Sequence, residues 1–270
     1  MFLTNLILYI ILGLIQGFTE PIPISSSGHL VIVKTLFNLN ILNDLNFEII
    51  VNFGSLIAIC LIFYQDIKEI ISHFFKYLRT KELQYYYNYK YLILIIIATI
   101  PAGIIGLLTK DIIEKYANNV KLIAVALLIT SLFLYMIRNI NGKKNDQEIT
   151  FKNAIVIGLC QALALFPGIS RSGATIVGGM IQNLKRDTAF KFSFMLYIPI
   201  SIATMILGIN DLISSNQTSQ IWFYYLAGML SSGILTYFSV KWFRNIMNKG
   251  KLIYFVYYCI LVGTLVLLFM

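Results

Sequence analysis

The chain has 270 residues, of which 58% are hydrophobic and only 12% charged, against about 25% charged in an ordinary soluble domain. That balance excludes a water-soluble globular protein and predicts an integral membrane protein. The net charge of +9 calls for no nucleic-acid partner, because in a multi-pass membrane protein an excess of Lys and Arg reports orientation.

Uncharged runs of 17 or more residues lie between Glu48 and Asp66, Lys191 and Asp211, and Asp211 and Lys241, and after Lys251. A helix needs about 20 mostly apolar residues to cross the hydrocarbon, so several spans are expected. Stretches such as Tyr91 to Ile100 are apolar at every register, which excludes the alternating strands of a membrane barrel. The predicted class is an all-α integral membrane protein.

In chain order, residues 3–36 form an apolar arm, a break at Pro21, Pro23 and three serines, and a shorter arm. The first arm has no basic region ahead of it and is expected to be retained rather than cleaved. The shorter arm, Pro21 to Val33, holds 13 uncharged residues, which suits a re-entrant segment better than a span. Spans follow near 47–65, 91–108 and 122–137. Between the first two, Ile67 to Leu78 is apolar at helical spacing opposite Lys68, Lys76 and Arg79 and leads into Tyr85 to Tyr91. This reads as a helix on the cytoplasmic interface with an aromatic belt, and His73 belongs to that surface. The pattern then repeats, with a broken hairpin at 153–184, its second arm Ser172 to Leu184, and spans near 192–208, 221–240 and 252–270. Cys60, Cys160 and Cys259 stand apart in apolar segments with no metal-ligand spacing.

The two breaks match in register. An offset of 145 pairs Gly13 with Gly158, Gln16 with Gln161, Ser25 with Ser170, Ser27 with Ser172 and Gly28 with Gly173. This indicates an internal duplication into repeats 1–140 and 141–270, each one re-entrant helix-break-helix hairpin plus three transmembrane helices. Three crossings per repeat invert the second relative to the first. Under that topology 16 Lys and Arg fall on one side and only Lys34, Lys110, Lys115 and Lys121 on the other. The crowded side is expected to be cytoplasmic, with both termini outside.

Ionisable side chains at membrane depth are costly and mark functional sites. Here they are Glu20, His29 and Arg171, all at the two breaks. Hairpins entering from opposite sides can meet near the middle of the bilayer. The second break offers an anion cradle, with Arg171 as a planar fork of donors, the hydroxyls Ser170, Ser172 and Thr175, the glycines Gly168 and Gly173, and a helix N-terminus. The first break offers Ser25, Ser26 and Ser27 beside an acid and a histidine, a kit for activating a nucleophile or water. Glu20 is equally a candidate ligand for a hard divalent cation.

Gln16 and Glu20 leading to Ser25, Ser26, Ser27 and His29, with Pro167-Gly-Ile-Ser-Arg-Ser-Gly-Ala-Thr175, resemble the undecaprenyl-diphosphate phosphatase family, the bacitracin-resistance proteins. Its marks are an (E/Q)xxxE stretch before a Ser-rich segment with a His, and a PGxSRSxxT motif. The resemblance covers essentially the whole chain. It implies a bacterial plasma-membrane enzyme that hydrolyses undecaprenyl diphosphate to undecaprenyl phosphate for cell-wall synthesis, with a divalent cation, Mg²⁺ or Ca²⁺, and a site opening outward.

Carried across, Glu20 is the second acid, His29 the histidine, Ser26 the candidate hydroxyl and Arg171 the phosphate-binding arginine, with Gln16 auxiliary where many members have Glu. Ser26, His29 or a water remains open as nucleophile, and a homodimer remains open. The competing reading from architecture alone is a lipid-phosphate flippase or anion transporter, since secondary transporters share inverted repeats with broken helices. Such a protein has little use for Ser, His and Glu together.

Overall fold

The computed structural model describes residues 2–39, 45–214 and 218–270. Among them every regular element is helical, apart from one isolated bridge between Lys144 and Leu184. The helices are α1 (Phe2–Thr19), α2 (Ser26–Leu36), α3 (Leu45–Ile62), α4 (Tyr64–Thr80), α5 (Leu83–Tyr116), α6 (Val120–Ile137), α7 (Phe151–Leu163), α8 (Arg171–Met180), α9 (Arg186–Ser214), α10 (Ser219–Asn248) and α11 (Ile253–Phe269).

Among the described residues, α1, α5, α6, α9 and α10 are each long and apolar enough to cross a membrane, and α3 with α4 makes a sixth candidate bent by 74°. The 17-residue α11 is apolar but shorter. Large apolar side chains such as Leu61, Leu108, Phe238 and Leu268 are exposed all round the bundle, as a lipid-facing surface requires. The protein is a multi-pass membrane protein.

The bend after α3 starts the expected amphipathic helix, α4, with Phe74 stacked on Tyr89 of α5 and Tyr77 tilted against it. α5, α6, α9 and α10 run longer than their apolar windows, while α3 and α11 are one and two residues shorter than expected. α5 starts at Leu83 rather than near Tyr91, because Asn88 in its first turns is buried against α4, its amide reaching Glu69 at 3.0 Å and His73 at 2.6 Å. A satisfied polar residue lets the helix extend past the point where hydropathy fails.

Both breaks are built from local rules. Pro21 and Pro23 lack the N–H that would continue α1. Ser25 takes a left-handed backbone, φ 68°, and its hydroxyl accepts from the Gly28 N–H at 3.3 Å to cap α2. The second break carries Gly168 at φ 93°, and the Ser170 hydroxyl accepts from the Gly173 N–H at 3.2 Å to cap α8. The returning arms therefore begin at Ser26 and Arg171, not at Pro21 and Ser172.

Each arm folds back along its partner. Leu30 of α2 shares a buried cluster with Tyr9 and Leu12 of α1. Gly178 of α8 rests on Ile157 and Cys160 of α7. The Lys185 N–H, just past α8, donates to the Lys144 carbonyl at 2.9 Å, so the second hairpin starts and ends at one level.

Each first arm also packs on a distant helix through a glycine. A Cβ at Gly13 would lie 2.2 Å from the Gly228 carbonyl oxygen of α10, and one at Gly158 2.4 Å from the Ala98 carbonyl oxygen of α5. The 145-residue offset thus recurs in the packing. Gly13→Ala and Gly158→Ala should each destabilise the protein by about 1–3 kcal/mol through overpacking against backbone. Gly103→Ala, where an added Cβ meets nothing within 4 Å, should be neutral or stabilising. Thermal midpoints in detergent decide this, and equal midpoints for all three would refute the close-approach role.

Candidate active site

The two hairpin tips meet. Arg171, the first residue of α8, forms an ion pair through Nη2 with Glu20, just past the end of α1. The Glu20 side chain is 6% exposed and that of Arg171 24%. A buried carboxylate is tolerated only when its oxygens are satisfied. The other Glu20 oxygen accepts from the Ser26 hydroxyl and, at 2.9 Å, from the Gln16 side-chain amide. Gln16 is buried one turn earlier on α1, and its amide donates where a Glu would repel. One carboxylate thereby joins a hydroxyl, an amide and a guanidinium.

Arg171 has two further neighbours, both on α9. Its Nη1 donates to the Ser201 hydroxyl at 3.2 Å, and its guanidinium carbon lies 4.0 Å from the ring centroid of Tyr197. A cavity of about 10 Å³ is lined by Glu20, Arg171, Ser172, Ser193, Tyr197 and the apolar pair Ile59 and Phe194, room for about one water. The groups are assembled around their own ion pair. Any anion that takes the Arg171 guanidinium meets Glu20 as its competitor on Nη2.

His29 does not join this constellation. Its Nδ1 lies 2.7 Å from the Ser25 carbonyl oxygen, which can only accept, so Nδ1 carries the proton. Nε2 then accepts from the Tyr258 hydroxyl of α11 at 2.7 Å, with the two rings stacked 5.5 Å apart. Both ring nitrogens are engaged away from Glu20 and Arg171.

The remaining predicted residues divide in the same way. Ser172 lines the cavity and meets the Ser170 hydroxyl at 3.2 Å. Thr175 is buried, donating to the Arg171 carbonyl at 2.9 Å and lying 2.5 Å from Ser193. Ser25 caps α2, and Ser27 is exposed with no side-chain partner among the described residues. The two glycines expected to admit a phosphate do other work. Gly168 sits where a Cβ would come within 2.8 Å of Ile123 and Ala126 on α6, and the Gly173 N–H is taken by the α8 cap. Tyr197, Ser201 and Asn52 escape the sequence reading because they are single polar residues inside apolar spans. Their one signal is that Asn52 and Tyr197 are themselves 145 apart.

An all-helical, multi-pass membrane protein with a carboxylate, a serine and a guanidinium locked together at two helix breaks falls in the class of integral-membrane proteins with a polar site enclosed among their helices. Comparison with known sequences makes the class specific. Residues 9–265 match the family model for bacitracin resistance protein BacA, and the chain belongs to that family. It is 47% identical over 262 residues to undecaprenyl-diphosphatase 2 of Bacillus thuringiensis, covering 97% of both chains. Identity is 48% over 265 residues to undecaprenyl-diphosphatase 1 of Bacillus licheniformis, covering 98% of both. It is 42% over 264 residues to undecaprenyl-diphosphatase of Oceanobacillus iheyensis, covering 97% of this chain and 96% of the other.

Ser25 is the strained residue of the site. Ser25→Gly relieves the left-handed backbone and loses only a few tenths of a kcal/mol of capping, whereas Ser25→Ala keeps the strain and loses about 1 kcal/mol. The thermal midpoint should therefore rank Ser25→Gly at or above wild type and Ser25→Ala below it. The reverse order would mean that the turn is not held against its own backbone preference.

Proposed function

We infer that this protein hydrolyses undecaprenyl diphosphate in the bacterial plasma membrane to undecaprenyl phosphate and inorganic phosphate. The family membership and the names of its relatives support the substrate. The observation that carries the chemistry is the Ser26–Glu20–Arg171 chain, a hydroxyl and a phosphate-binding fork each in direct contact with one proton acceptor between them. A transporter would need the arginine and the helix N-terminus but not a serine held on a carboxylate.

The mechanism follows from that contact. The terminal phosphate takes the Arg171 fork, with Ser172 and the N-terminus of α8 beside it, and so releases Glu20 from its ion pair. The Ser26 hydroxyl, already donating to Glu20, gives up its proton there as Oγ attacks the terminal phosphorus. The Oγ–P bond forms, the bridging P–O bond breaks, and undecaprenyl phosphate leaves with the bridging oxygen and the proton. Water then attacks the phosphoserine with Glu20 taking its proton, Oγ regains a proton, and phosphate departs. His29 holds the Ser25 turn in place beside Tyr258 and supports Ser26 from one turn along α2.

The donor set fits a divalent cation, Mg²⁺ or Ca²⁺, in the manner of sites that use one carboxylate plus substrate phosphates. Glu20 and Ser26 would hold it together with the diphosphate. Among the described residues no cluster of three or more His, Cys, Asp or Glu stands ready without substrate. Such an ion supplies charge neutralisation on the phosphate oxygens.

The chain reads as two inverted repeats, 1–140 and 141–270, with both termini outside and the site open outward. The Lys and Arg count supports the orientation. Closure on the opposite side supports the access, for beyond Ile59 and Phe194 lie Phe63 and Phe190, with ring centroids 6.0 and 4.5 Å from that of Phe194. Lys191 then bridges Asp66 at 2.6 Å and Asp146 at 3.7 Å.

Purified protein in detergent should release phosphate from undecaprenyl diphosphate with Mg²⁺ and stop when the cation is chelated. Glu20→Ala and Arg171→Ala should each lower kcat by about 10²-fold or more. Quenched turnover should trap a phosphoenzyme that survives acid and is lost in base, absent in Ser26→Ala. An acid-labile, base-stable adduct would move the nucleophile to His29. Activity indifferent to both Glu20→Ala and Arg171→Ala would end the assignment.

A further inference from the structure

In the mechanism proposed above the guanidinium of Arg171 changes partners during turnover, exchanging Glu20 for a phosphate. An arginine released from its carboxylate at membrane depth regains rotamer freedom unless something else keeps its plane. Two contacts survive the exchange, the Ser201 hydroxyl on Nη1 and the face of Tyr197 under the guanidinium carbon. The Tyr197 ring is itself anchored at both ends. Its backbone belongs to α9, and its hydroxyl donates to the side-chain oxygen of Asn52 on α3 at 2.5 Å and reaches the Asn52 carbonyl at 3.2 Å. It is 5% exposed, too enclosed to follow the arginine if the arginine moves.

We propose that Tyr197, held by Asn52, is a positioning residue for phosphate capture. Its fixed face is a rail on which the Arg171 guanidinium shifts from Glu20 to the phosphate while remaining stacked. Ser201 occupies Nη1, so that Nη2 is left for the exchange between Glu20 and the phosphate. The inference rests on reading Arg171 as the phosphate-binding group. A flat guanidinium stacks on an aromatic face while its fork of donors stays free for an anion, whereas a lysine ammonium over the same face has neither the plane nor the fork. The pairing also places Asn52 and Tyr197 at matched positions of the two repeats, so the contact between repeats and the support of the arginine are one structure.

The test is kinetic and uses the full-length protein in detergent with undecaprenyl diphosphate. Tyr197→Leu removes the face and should raise KM about tenfold, with a smaller fall in kcat. Tyr197→Phe keeps the face and loses only the anchor, so its KM should rise no more than about threefold. Asn52→Ala leaves the Asn52 carbonyl to the hydroxyl and should cost no more than Tyr197→Phe, and combining the two should be no worse than Tyr197→Phe alone, because that change already deletes the bond to the Asn52 side chain. Arg171→Lys should cost much of kcat/KM in the wild type and little more in Tyr197→Leu.

Multiplicative losses for Arg171→Lys and Tyr197→Leu would overturn the proposal. So would a Tyr197→Leu variant with a lowered thermal midpoint and an unchanged KM, which would make the ring mere packing. If Arg171→Lys leaves KM and kcat untouched in the wild type, the reading of Arg171 itself fails, an outcome separable from failure at Tyr197.

Discussion

Everything in this protein turns on one buried ion pair, Glu20 with Arg171. Charges at membrane depth are admitted only where they face the protein interior and find partners, and here each end has further partners. Gln16 and Ser26 donate to the carboxylate, while Ser201 accepts from the guanidinium and Tyr197 lies under it. Neither residue could reach the other from an unbroken helix. The pair therefore depends on the two breaks, the breaks on their prolines and serine caps, and the hairpins on glycines that let α1 and α7 lie against the backbones of α10 and α5.

Read as a duplication, the chain separates structure from chemistry position by position. Several pairs that are identical across the 145-residue offset hold the architecture. Gly13 and Gly158 permit close helix contact, while Ser25 and Ser170 cap helices over Gly28 and Gly173. The ion pair and its hydroxyl fall where the repeats differ. Glu20 stands opposite Leu165 and Ser26 opposite Arg171, and Asn52 stands opposite Tyr197. One repeat supplies the acid and hydroxyl, the other the cation, and each half-site would be incomplete alone.

Much of this was legible from charge spacing. With so few charged residues, Glu20, His29 and Arg171 stand out against apolar arms, and the breaks are marked by residues whose backbone chemistry is local. Three kinds of fact were hidden. Helix ends depend on tertiary partners, so that Asn88, satisfied by Glu69 and His73, carries α5 back to Leu83. Side-chain direction cannot be read from spacing, which is why His29 looked like a member of the site and instead faces Tyr258. Isolated polar residues in apolar spans leave no pattern, and Tyr197 and Ser201 are of this kind. Glycines posed the same difficulty in reverse, since Gly168 could serve an anion or a neighbouring helix and only packing on Ile123 and Ala126 decides.

The most direct measurement of the central claim is a double-mutant cycle on the pair itself, Glu20→Gln and Arg171→Gln singly and together, followed by unfolding in detergent. Removing one partner of a buried pair leaves the other charge uncompensated and should cost about 3–5 kcal/mol, while removing both should cost less than the sum by about 1 kcal/mol or more. Stability losses that simply add would show that the two hairpins are held together by something other than this contact.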